Sequence, residues 1–474
     1  MHTSIGGTAA RVRLSNAFGN QPVTIANVHI AKRTSGSSID AASDRAVTFA
    51  GATQTTIPVG GSIVSDQVSF TVDALADVAV SFYLPGPTGN ATVHDMALQT
   101  NYVAAGNVAG NATLSNPQTR GNYFFLTNLD VQNLAAEGAV VTLGASLTDG
   151  SISRGDVNRR WPNDLAIRLN QAGRTIGVLN QGISGNRLLA DGAGQSAANR
   201  FDRDVLSQAN VKWVIFSDDP INDLGSTGGA VTGDQLITAA RQLIGRAHQA
   251  DIKFLCSTLT PFQGASYWTQ VGENGRQAYN AFVRSTASGC DGVVDQDAAT
   301  HDPARPTWFL PSLDAGDHLH PNEAGLQAIA DAVNLGLFGI TTPPPATVVS
   351  FRAHANGMIV TAEAAGASPL IANRNAVGPW EQFDRIDLGG GRIALRAHAN
   401  GLIVAAEAAG GSPLIANRNA VGPWETFELV HNPDGSVSLR ATVNGKYVCA
   451  ENGGTGALIA NRAVIGSWES FDLL

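Results

Sequence analysis

Two short stretches of the chain carry residue types that could work together as a hydrolytic site. The stretch GASLTDG, residues 144–150, contains Ser146 at the end of an apolar run. A serine hydroxyl becomes an effective nucleophile when a base takes its proton, and the base is usually a histidine oriented by a carboxylate. The stretch DAGDHLHPNEAG, residues 314–325, supplies Asp317 and His320 three positions apart. In a turn, this spacing lets the carboxylate reach Nδ1 of the imidazole and leaves Nε2 for the serine.

Acyl transfer also needs hydrogen-bond donors for the negative charge that develops on the carbonyl oxygen. Backbone N–H groups in a glycine-rich turn can serve, and so can the amide of an asparagine. The stretch NQGISGNRLL contains Gly185, and PINDLG contains Asn222. Both follow apolar runs typical of strands, so both are predicted to lie with Ser146 at the carboxyl edge of a sheet.

Each of these residues also has a purely structural interpretation. Ser146 alone could be an ordinary serine at the end of a strand, and His320 alone could be a histidine at the start of a helix. Gly185 could be a turn glycine, and Asn222 could cap a turn. His318 is interpreted as a neighbour of the base, because it has no carboxylate at the right offset.

From about residue 135 the chain has the pattern of an α/β domain. Short continuous apolar runs, such as GAVVTLGAS, GRTIGVLNQG and KWVIFSDDP, are typical of strands buried on both faces. Helical patterns such as TGDQLITAARQLIGRAHQA lie between them. This alternation predicts a parallel sheet over 133–340, in which ligands bind outside the carboxyl ends of the strands. Ser146 would sit there.

Residues 1–132 are predicted to be all-β. Runs such as ARVRLSNAFG, PVTIANVHIA and DVAVSFYLPG alternate apolar and polar residues, and clusters of Gly, Asn, Asp and Pro separate them. Period-two alternation with frequent turn signals predicts a β-sandwich of the jelly-roll kind.

A proline-rich stretch at residues 341–347, TTPPPAT, predicts a stiff linker. Beyond it, residues 348–474 contain three copies of one pattern, with Asn-Gly pairs that begin 44 residues apart at Asn356, Asn400 and Asn444. Asn-Gly between alternating runs is a strong hairpin signal, and a single such unit cannot bury its own apolar face. Three β copies of this length predict a closed β-trefoil rather than a solenoid.

Trp380, Trp424 and Trp468 recur in register in these copies and are interpreted as trefoil core rather than as platforms for sugars. The pattern NGxxVxAE…PLIANR…GPWExF resembles trefoil modules of the fascin-like type. Such modules are often joined to secreted polysaccharide-active enzymes and are thought to hold glycans. The resemblance implies a glycan ligand for this region.

The blocks around the candidate catalytic residues resemble, in the same order, those of the SGNH or GDSL-type serine hydrolases. The matching residues are Ser146 in GASLTDG, Gly185 in GISGN, Asn222 in PIND, and Asp317 and His320 in DHLHPN. The resemblance implies an α/β hydrolase with a Ser-His-Asp triad, and an oxyanion hole formed by the Ser146 N–H, the Gly185 N–H and the Asn222 amide. The preceding β region resembles the sandwich ahead of the hydrolase domain in some secreted members. In those relatives more sequence precedes HTSIGG, so we expect a processed or trimmed N-terminus.

Two positions depart from the family pattern. Ala145 stands where the family usually has an aspartate, whose carboxylate would accept hydrogen bonds from nearby backbone N–H groups. Its loss is expected to leave those donors unsatisfied, at a cost of roughly 1–3 kcal/mol if they are buried. An aspartate restored there should raise the rate if Ala145 is only a loss of scaffolding. Pro220 replaces a usual glycine, so the loop carrying Asn222 would have to be rebuilt. Asp218 and Asp219 add negative charge near that loop.

Composition limits the classes of partner. The net charge is −9 and no basic run is present, so neither nucleic acid nor an anionic membrane is predicted as a partner. No apolar stretch approaches the roughly 20 residues that span a bilayer. No metal cluster and no phosphate-binding loop is recognisable, so no cofactor is predicted. Cys256, Cys290 and Cys449 lack metal-ligand spacing. A bridge between the first two is left open, and all three are interpreted by default as small buried hydrophobic residues.

These observations predict a secreted serine esterase that acts on small acyl esters, such as acetyl groups on polysaccharides. No export signal is recognisable in the chain as given. The competing hypothesis is a glycan-binding protein whose hydrolase domain has lost activity through Ala145 and Pro220. Natural divergence, an engineered change and functional decay would each explain these two positions. A lipase for long acyl chains is disfavoured, because no lid or sizeable apolar groove is apparent.

Overall fold

The computed structural model describes residues 1–339, 347–389, 391–418 and 421–474. The chain divides into two compact units, Met1–Phe338 and Gly339–Leu474. The proline-rich stretch predicted as a linker lies outside the described residues except for Thr347, which begins a strand.

Residues 1–132, all of which the structure describes, form thirteen strands in two main antiparallel sheets and two short two-stranded ones. The strands are β1 (Gly7–Ser15), β2 (Val23–Ser35), β3 (Ser38–Ile39), β4 (Arg45–Val47), β5 (Gln54–Ile57), β6 (Ser62–Val64), β7 (Val68–Val72), β8 (Val78–Tyr83), β9 (Val93–His94), β10 (Asn101–Val103), β11 (Gln118–Arg120), β12 (Tyr123–Phe124) and β13 (Leu126–Gln132). One sheet is ordered β13-β1-β6, with β7 also pairing β1, and the other is ordered β3-β2-β4, with β5 and β8 also pairing β2.

Side chains from β1 and β2 belong to one buried core, as the alternating pattern predicts. Val12 and Leu14 on β1 are fully buried. On β2 the pairing with β8 shifts around Asn27, whose φ is 49°. A one-residue shift moves side chains to the other face of a sheet, so Ile25 before the shift and Val28 after it both reach the core.

The rest of the first unit is the predicted α/β region. Its strands are β14 (Gly138–Gly144), β15 (Ile176–Gly182), β16 (Val211–Phe216), β17 (Lys253–Ser257), β18 (Gly292–Val294), β19 (His301–Asp302) and β20 (Arg305–Phe309). Its α-helices are α1 (Ser146–Asp149), α2 (Trp161–Gln171), α3 (Ala197–Phe201), α4 (Asp219–Ser226), α5 (Gly233–Gln249), α6 (Gln270–Arg284), α7 (Gln296–Thr300) and α8 (Glu323–Ala332).

Five of these strands form one parallel sheet in the order β15-β14-β16-β17-β18. Strand β14, which lies between β15 and β16, is buried along its whole length. Its alternate residues Val141 and Leu143 pack in the same core as Leu243 on α5 and Tyr279 on α6. This confirms the predicted α/β region with a parallel sheet and explains why its strands read as unbroken apolar runs.

Direct hydrogen bonds join the β region to the α/β region. The Ser4 hydroxyl accepts from the Val178 N–H at 2.9 Å, and the Ser4 carbonyl accepts from the Asn170 side chain at 2.8 Å. His94 Nε2 lies 2.9 Å from Asp149 Oδ1 on α1. The change of fold predicted near residue 132 therefore occurs inside one compact unit, between β13 and β14. Among the helices of the described residues, none combines the length and the apolar character needed to cross a membrane.

The described part of the second unit is built from antiparallel strands. They are β21 (Thr347–Val349), β22 (Phe351–Ala353), β23 (Ile359–Ala362), β24 (Leu370–Arg374), β25 (Phe383–Gly389), β26 (Arg392–Ala397), β27 (Ile403–Ala406), β28 (Leu414–Arg418), β29 (Phe427–His431), β30 (Val437–Ala441), β31 (Lys446–Ala450), β32 (Leu458–Arg462) and β33 (Phe471–Leu473).

The sequence repeats fold alike. The hairpins β23–β24, β27–β28 and β31–β32 share one register, with the same irregularity after the first pair. Phe383, Phe427 and Phe471 are at most 1% exposed and belong to one core, so the copies bury their apolar faces together. The prediction that the repeated tryptophans form this core is wrong. Trp380 and Trp468 are 38% and 39% exposed, because the phenylalanines and aliphatic side chains already fill the interior.

The default interpretation of the cysteines is wrong for two of them. Cys256 on β17 forms a disulfide with Cys290, 34 residues later. Cys449 is free and buried, and burial raises the pKa of its thiol to about 12. The disulfide closes the segment that contains α6 and fastens it to the central sheet.

We expect removal of this disulfide to destabilise the first unit. A crosslink across 34 residues restricts the unfolded chain and is worth roughly 3–4 kcal/mol on the chain-entropy account. The double variant Cys256→Ala and Cys290→Ala should lower the free energy of unfolding by about this amount in chemical denaturation of the full chain. The variant Cys449→Ser is the comparison for cysteine loss without a crosslink. An unchanged denaturation midpoint in the double variant would contradict the prediction.

Candidate active site

Ser146 stands at a sharp turn from strand β14 into a helix. Strand β14 ends at Gly144, and Ser146 is the first residue of α1. A side chain at position 144 would collide with Thr148 Oγ1 at 2.1 Å and with Asp218 Oδ1 at 2.5 Å, so only glycine fits there. Ser146 is 4% exposed and lies at the carboxyl edge of the parallel sheet, as predicted.

The structure brings Ser146, His320 and Asp317 together. Nε2 of His320 lies 2.9 Å from Oγ of Ser146, and Nδ1 lies 2.6 Å from Oδ2 of Asp317. The other carboxylate oxygen of Asp317 accepts the backbone N–H groups of Leu319 and His320. Partial burial raises the pKa of Asp317, but these hydrogen bonds outweigh it and hold the pKa below the ordinary value. The carboxylate is therefore ionised at neutral pH and holds Nδ1 protonated, which leaves Nε2 to accept from Ser146.

The turn that carries His320 is fixed on both sides. Asn322 caps α8 through the Gly325 N–H. The expectation that His318 lacks a carboxylate is wrong, because its Nδ1 lies 2.5 Å from Oδ2 of Asp314, four residues earlier. The His318 ring packs against Trp308, with ring centroids 5.3 Å apart.

Gly185 and Asn222 lie on two segments joined by a hydrogen bond. Gly185 lies in a turn closed by a hydrogen bond from the Asn186 N–H to the Ile183 carbonyl. Its φ is 78°, a backbone angle that glycine adopts without strain. Nδ2 of Asn222 donates to the Asn186 carbonyl at 2.8 Å, and the Ile183 N–H donates to the Gly144 carbonyl at 3.0 Å. Both predicted oxyanion residues are thereby tied to the strand end that carries Ser146.

Pro220 does not disturb the segment that carries Asn222. This segment is the helix α4 rather than a loop, and Pro220 occupies its first turn. A proline is tolerated there because the N–H it lacks would have no partner within the helix. The missing glycine is therefore accommodated by a regular helix start.

The expectation that Ala145 leaves donors unsatisfied is also wrong. The carboxylate of Asp218 accepts the Ala145 N–H at 3.0 Å, the Leu147 N–H at 2.8 Å and the Thr148 hydroxyl at 2.6 Å. Asp218 lies just after β16, the strand beside β14. The sequence pattern showed Asp218 only as extra charge, because its contact with α1 depends on strand order.

A comparison with protein-family models identifies the central region. Residues 142–328 match the GDSL-like lipase/acylhydrolase family. These residues form a GDSL-like acylhydrolase domain. The match supports a hydrolase that acts on esters, and it covers Ser146, Gly185, Asn222, Asp317 and His320.

Solved structures that resemble the chain include three of different kinds. A putative lipolytic protein of the G-D-S-L family from Desulfitobacterium hafniense is 19% identical over 41% of this chain and 97% of its own, with a TM-score of 0.33. An acetylxylan esterase mutant from Geobacillus stearothermophilus is 21% identical over 44% of this chain and 97% of its own, with a TM-score of 0.34. A designed threefold symmetric protein is 25% identical over 27% of this chain and 97% of its own, with a TM-score of 0.25. A sequence search of curated proteins finds no match.

Buried charges hold the edge of the acylhydrolase domain together. Arg200 is fully buried and donates to the Gly144 carbonyl at 3.0 Å and to the Gln181 carbonyl at 2.6 Å. It also pairs with Asp219, whose pKa burial raises to about 6. Within the described ranges, no group of three His, Cys, Asp or Glu side chains is arranged to hold a metal ion.

Tyr267 is a site residue that the sequence did not reveal. Its hydroxyl donates to Oδ1 of Asn222 at 3.1 Å. Its ring covers Gly225 so closely that a Cβ there would lie 1.9 Å from ring carbons. The glycine in PINDLG therefore lets the tyrosine reach the asparagine amide. With Oδ1 held by Tyr267, the amide nitrogen of Asn222 is directed away from the tyrosine, where it donates to the Asn186 carbonyl.

We expect Tyr267→Phe to slow turnover of an activated ester more than it weakens substrate binding. Loss of this bond leaves the Asn222 amide held only through its donation to the Asn186 carbonyl. Misdirection of one oxyanion donor is expected to lower kcat by about 3- to 30-fold with KM nearly unchanged. The rate of p-nitrophenyl acetate hydrolysis measures this. The matched variant is Tyr279→Phe, because the buried Tyr279 hydroxyl has no hydrogen-bond partner among the described residues. Equal rates for the two variants would argue against a role for Tyr267.

Proposed function

We propose that this protein is a secreted serine esterase that hydrolyses small acyl esters, in particular acetyl esters on polysaccharides. The observation that carries the proposal is the continuous hydrogen-bonded path from Asp317 through His320 to Ser146. Within an acylhydrolase domain, this path is what a serine needs to act as a nucleophile.

In the proposed reaction, Oγ of Ser146 attacks the ester carbonyl while Nε2 of His320 takes its proton. The carboxylate of Asp317 stabilises the imidazolium that forms. The negative oxygen of the tetrahedral intermediate accepts hydrogen bonds from the Ser146 N–H, the Gly185 N–H and the Asn222 amide. The imidazolium then gives its proton to the alcohol oxygen as the C–O bond breaks, which leaves an acyl-serine.

Water completes the cycle. His320 takes a proton from a water molecule, whose oxygen attacks the acyl-serine. Collapse of the second intermediate returns the proton to Oγ of Ser146 and releases the carboxylic acid. No step requires a metal or a cofactor, since the imidazole carries each proton.

The burial of the nucleophile supports a small acyl group. Ser146 is 4% exposed, while the Asp317 side chain is 47% exposed. A long acyl chain needs an open apolar groove beside the nucleophile, whereas an acetyl group fits in a confined space. The exposed Asp317 carboxylate makes this side of the site polar, and a polar surface suits a hydrated alcohol such as a sugar.

We propose that the β region over 1–132 is a β-sandwich and that residues 348–474 form a β-trefoil that binds glycans. Three hairpins with one register support the trefoil. The exposure of Trp380 and Trp468, each with an exposed aliphatic residue three positions earlier, supports binding, because aromatic faces left in water are available for sugar rings. Binding to a polymer would raise the local concentration of the catalytic domain on its substrate.

Secretion is proposed on the basis of the Cys256–Cys290 disulfide. Disulfides persist mainly in oxidising compartments, and cytosolic reductants keep most intracellular thiols reduced. The absence of a basic run in the sequence agrees with a partner other than nucleic acid.

The competing hypothesis of a degenerate hydrolase depended on Ala145 and Pro220. The donors at Ala145 are satisfied by Asp218, and Pro220 begins a regular helix. Neither position leaves a defect beside the nucleophile. These contacts support the esterase over a domain that retains only the binding function.

We expect Ser146→Ala to abolish turnover of p-nitrophenyl acetate. Loss of a triad member should lower kcat by at least about a thousandfold. A fluorophosphonate probe should label the wild type and fail to label Ser146→Ala or His320→Ala. The matched variant is Ser151→Ala, a buried serine on the same turn whose hydroxyl contacts Met96 and Ser184 instead of His320. Equal rates for Ser146→Ala and the wild type would refute the proposed nucleophile.

We expect the triple variant Trp380→Ala, Trp424→Ala and Trp468→Ala to lose retention on insoluble acetylated xylan and to keep its rate on p-nitrophenyl acetate. Removal of the three rings, of which those of Trp380 and Trp468 are exposed, takes away the apolar faces proposed to bind sugar. The comparison variant is Arg352→Ala with Arg396→Ala, two exposed strand positions in the same repeats. A pull-down of the full chain with the polymer measures retention, and unchanged retention of the triple variant would rule out this binding mode.

A further inference from the structure

The turn at Ser146 draws its helix-capping group from a different part of the chain. Ala145 occupies the N-cap position of α1, and its methyl group cannot accept a hydrogen bond. The N-cap residue of a helix normally accepts from N–H groups of the first turn through its own oxygen. Here the acceptor is Asp218, which binds the Leu147 N–H, the Ala145 N–H and the Thr148 hydroxyl.

Asp218 is itself an N-cap residue, at the start of α4, and its side chain makes no capping bond there. The carboxylate of Asp218 therefore caps α1 instead of its own helix, α4. Asp218 is 2% exposed, and the Ser217 N–H donates to the Leu143 carbonyl at 2.8 Å, which fixes the segment against the nucleophile strand. The absence of a side chain at Gly144 allows this close approach.

The bonds to Asp218 lie on both sides of the nucleophile. One fixes the peptide group that precedes Ala145, and the other fixes the one that follows Ser146. With both ends held, the direction of Oγ toward His320 and the direction of the Ser146 N–H are set before a substrate arrives. Displacement of a reacting group by about 1 Å can cost about a hundredfold in rate.

We propose that Asp218 is a positioning residue for the nucleophile, and that positions 145 and 218 are alternative sources of one carboxylate. Asp218 acts through the backbone around Ser146 and does not touch the substrate. An aspartate at 145 would reach the Leu147 N–H from its own N-cap position. Because Ala145 is fully buried, two carboxylates at this place would repel each other and compete for the same donors. This inference rests on the proposed esterase activity.

Four forms of the full chain test the proposal, with p-nitrophenyl acetate as the substrate. Asp218→Ala should lower kcat by about 10- to 100-fold with KM nearly unchanged. Ala145→Asp alone should also lower kcat, although it restores the residue usual in the resembling family. The double variant Ala145→Asp with Asp218→Ala should be faster than either single variant. A substitution that harms alone and rescues in combination is not produced by general loss of stability.

The fluorophosphonate labelling rate of Ser146 gives a second readout, and Asp218→Asn gives a variant of matched size. Asn presents one carbonyl oxygen and an NH2 group where three donors converge, so its labelling should also be slower than that of the wild type. The matched control is Asp164→Asn, a buried carboxylate on α2 that pairs with Arg159 and accepts no hydrogen bond from the backbone around Ser146. Its labelling rate should stay within about twofold of that of the wild type.

The outcomes separate the two proposals. A wild type that neither hydrolyses the ester nor takes up the probe refutes the esterase and, with it, this inference. An active wild type with Asp218→Ala and Asp218→Asn within about twofold of it refutes the role of Asp218 and leaves the esterase intact. A double variant no faster than the single ones, or one that fails to fold, refutes the equivalence of the two positions.

Discussion

The site depends on satisfying backbone donors at the point where a fully buried strand turns into a helix. Strand β14 is flanked by β15 and β16 and is buried along its whole length, so the N–H groups at its end are shielded from water. A buried donor without a partner costs roughly 1–3 kcal/mol. The Asp218 carboxylate removes this cost for the Ala145 and Leu147 N–H groups together. Ser146 can then occupy a sharp turn and still present its oxygen to His320.

The same edge of the sheet holds a layer of buried charge. Arg200 binds the carbonyl groups at the ends of β14 and β15 and pairs with Asp219 on α4. Asp223 is buried and accepts the Leu188 and Leu189 N–H groups. Burial raises the pKa of Asp219 and of Asp223 to about 6. A buried ion pair adds little net stability. The contacts of Arg200 hold the start of α4 beside the ends of β14 and β15.

The described part of the second unit repeats one hairpin arrangement around a shared core. Each copy contributes one of Phe383, Phe427 and Phe471 to a shared core. The Asn-Gly turns join paired strands within each copy, namely β22 to β23, β26 to β27 and β30 to β31. Because the interior is filled by these rings, the tryptophan of each copy is free to lie toward the surface. Trp380 and Trp468 thus present similar faces to solvent.

The sequence alone was enough to predict the main elements and the candidate residues. Unbroken apolar runs indicated buried parallel strands, period-two alternation indicated the β regions, and the 44-residue repeat indicated copies with equal folds. The types and order of Ser146, Gly185, Asn222, Asp317 and His320 indicated one site, because strand ends of a parallel sheet meet at one edge. The inferences about the elements succeed because they depend on local pattern, while the roles of the five residues stay predictions.

Other features were decided only by the tertiary structure. Asp218 is 73 residues from Ala145, and Tyr267 is 45 residues from Asn222. Their contacts depend on which strands are neighbours and on the space left by Gly144 and Gly225. The outward tryptophans and the Cys256–Cys290 bond depend in the same way on what else fills the core and on which segments approach. A local pattern specifies what a residue can do, but its partner is chosen by packing between distant segments.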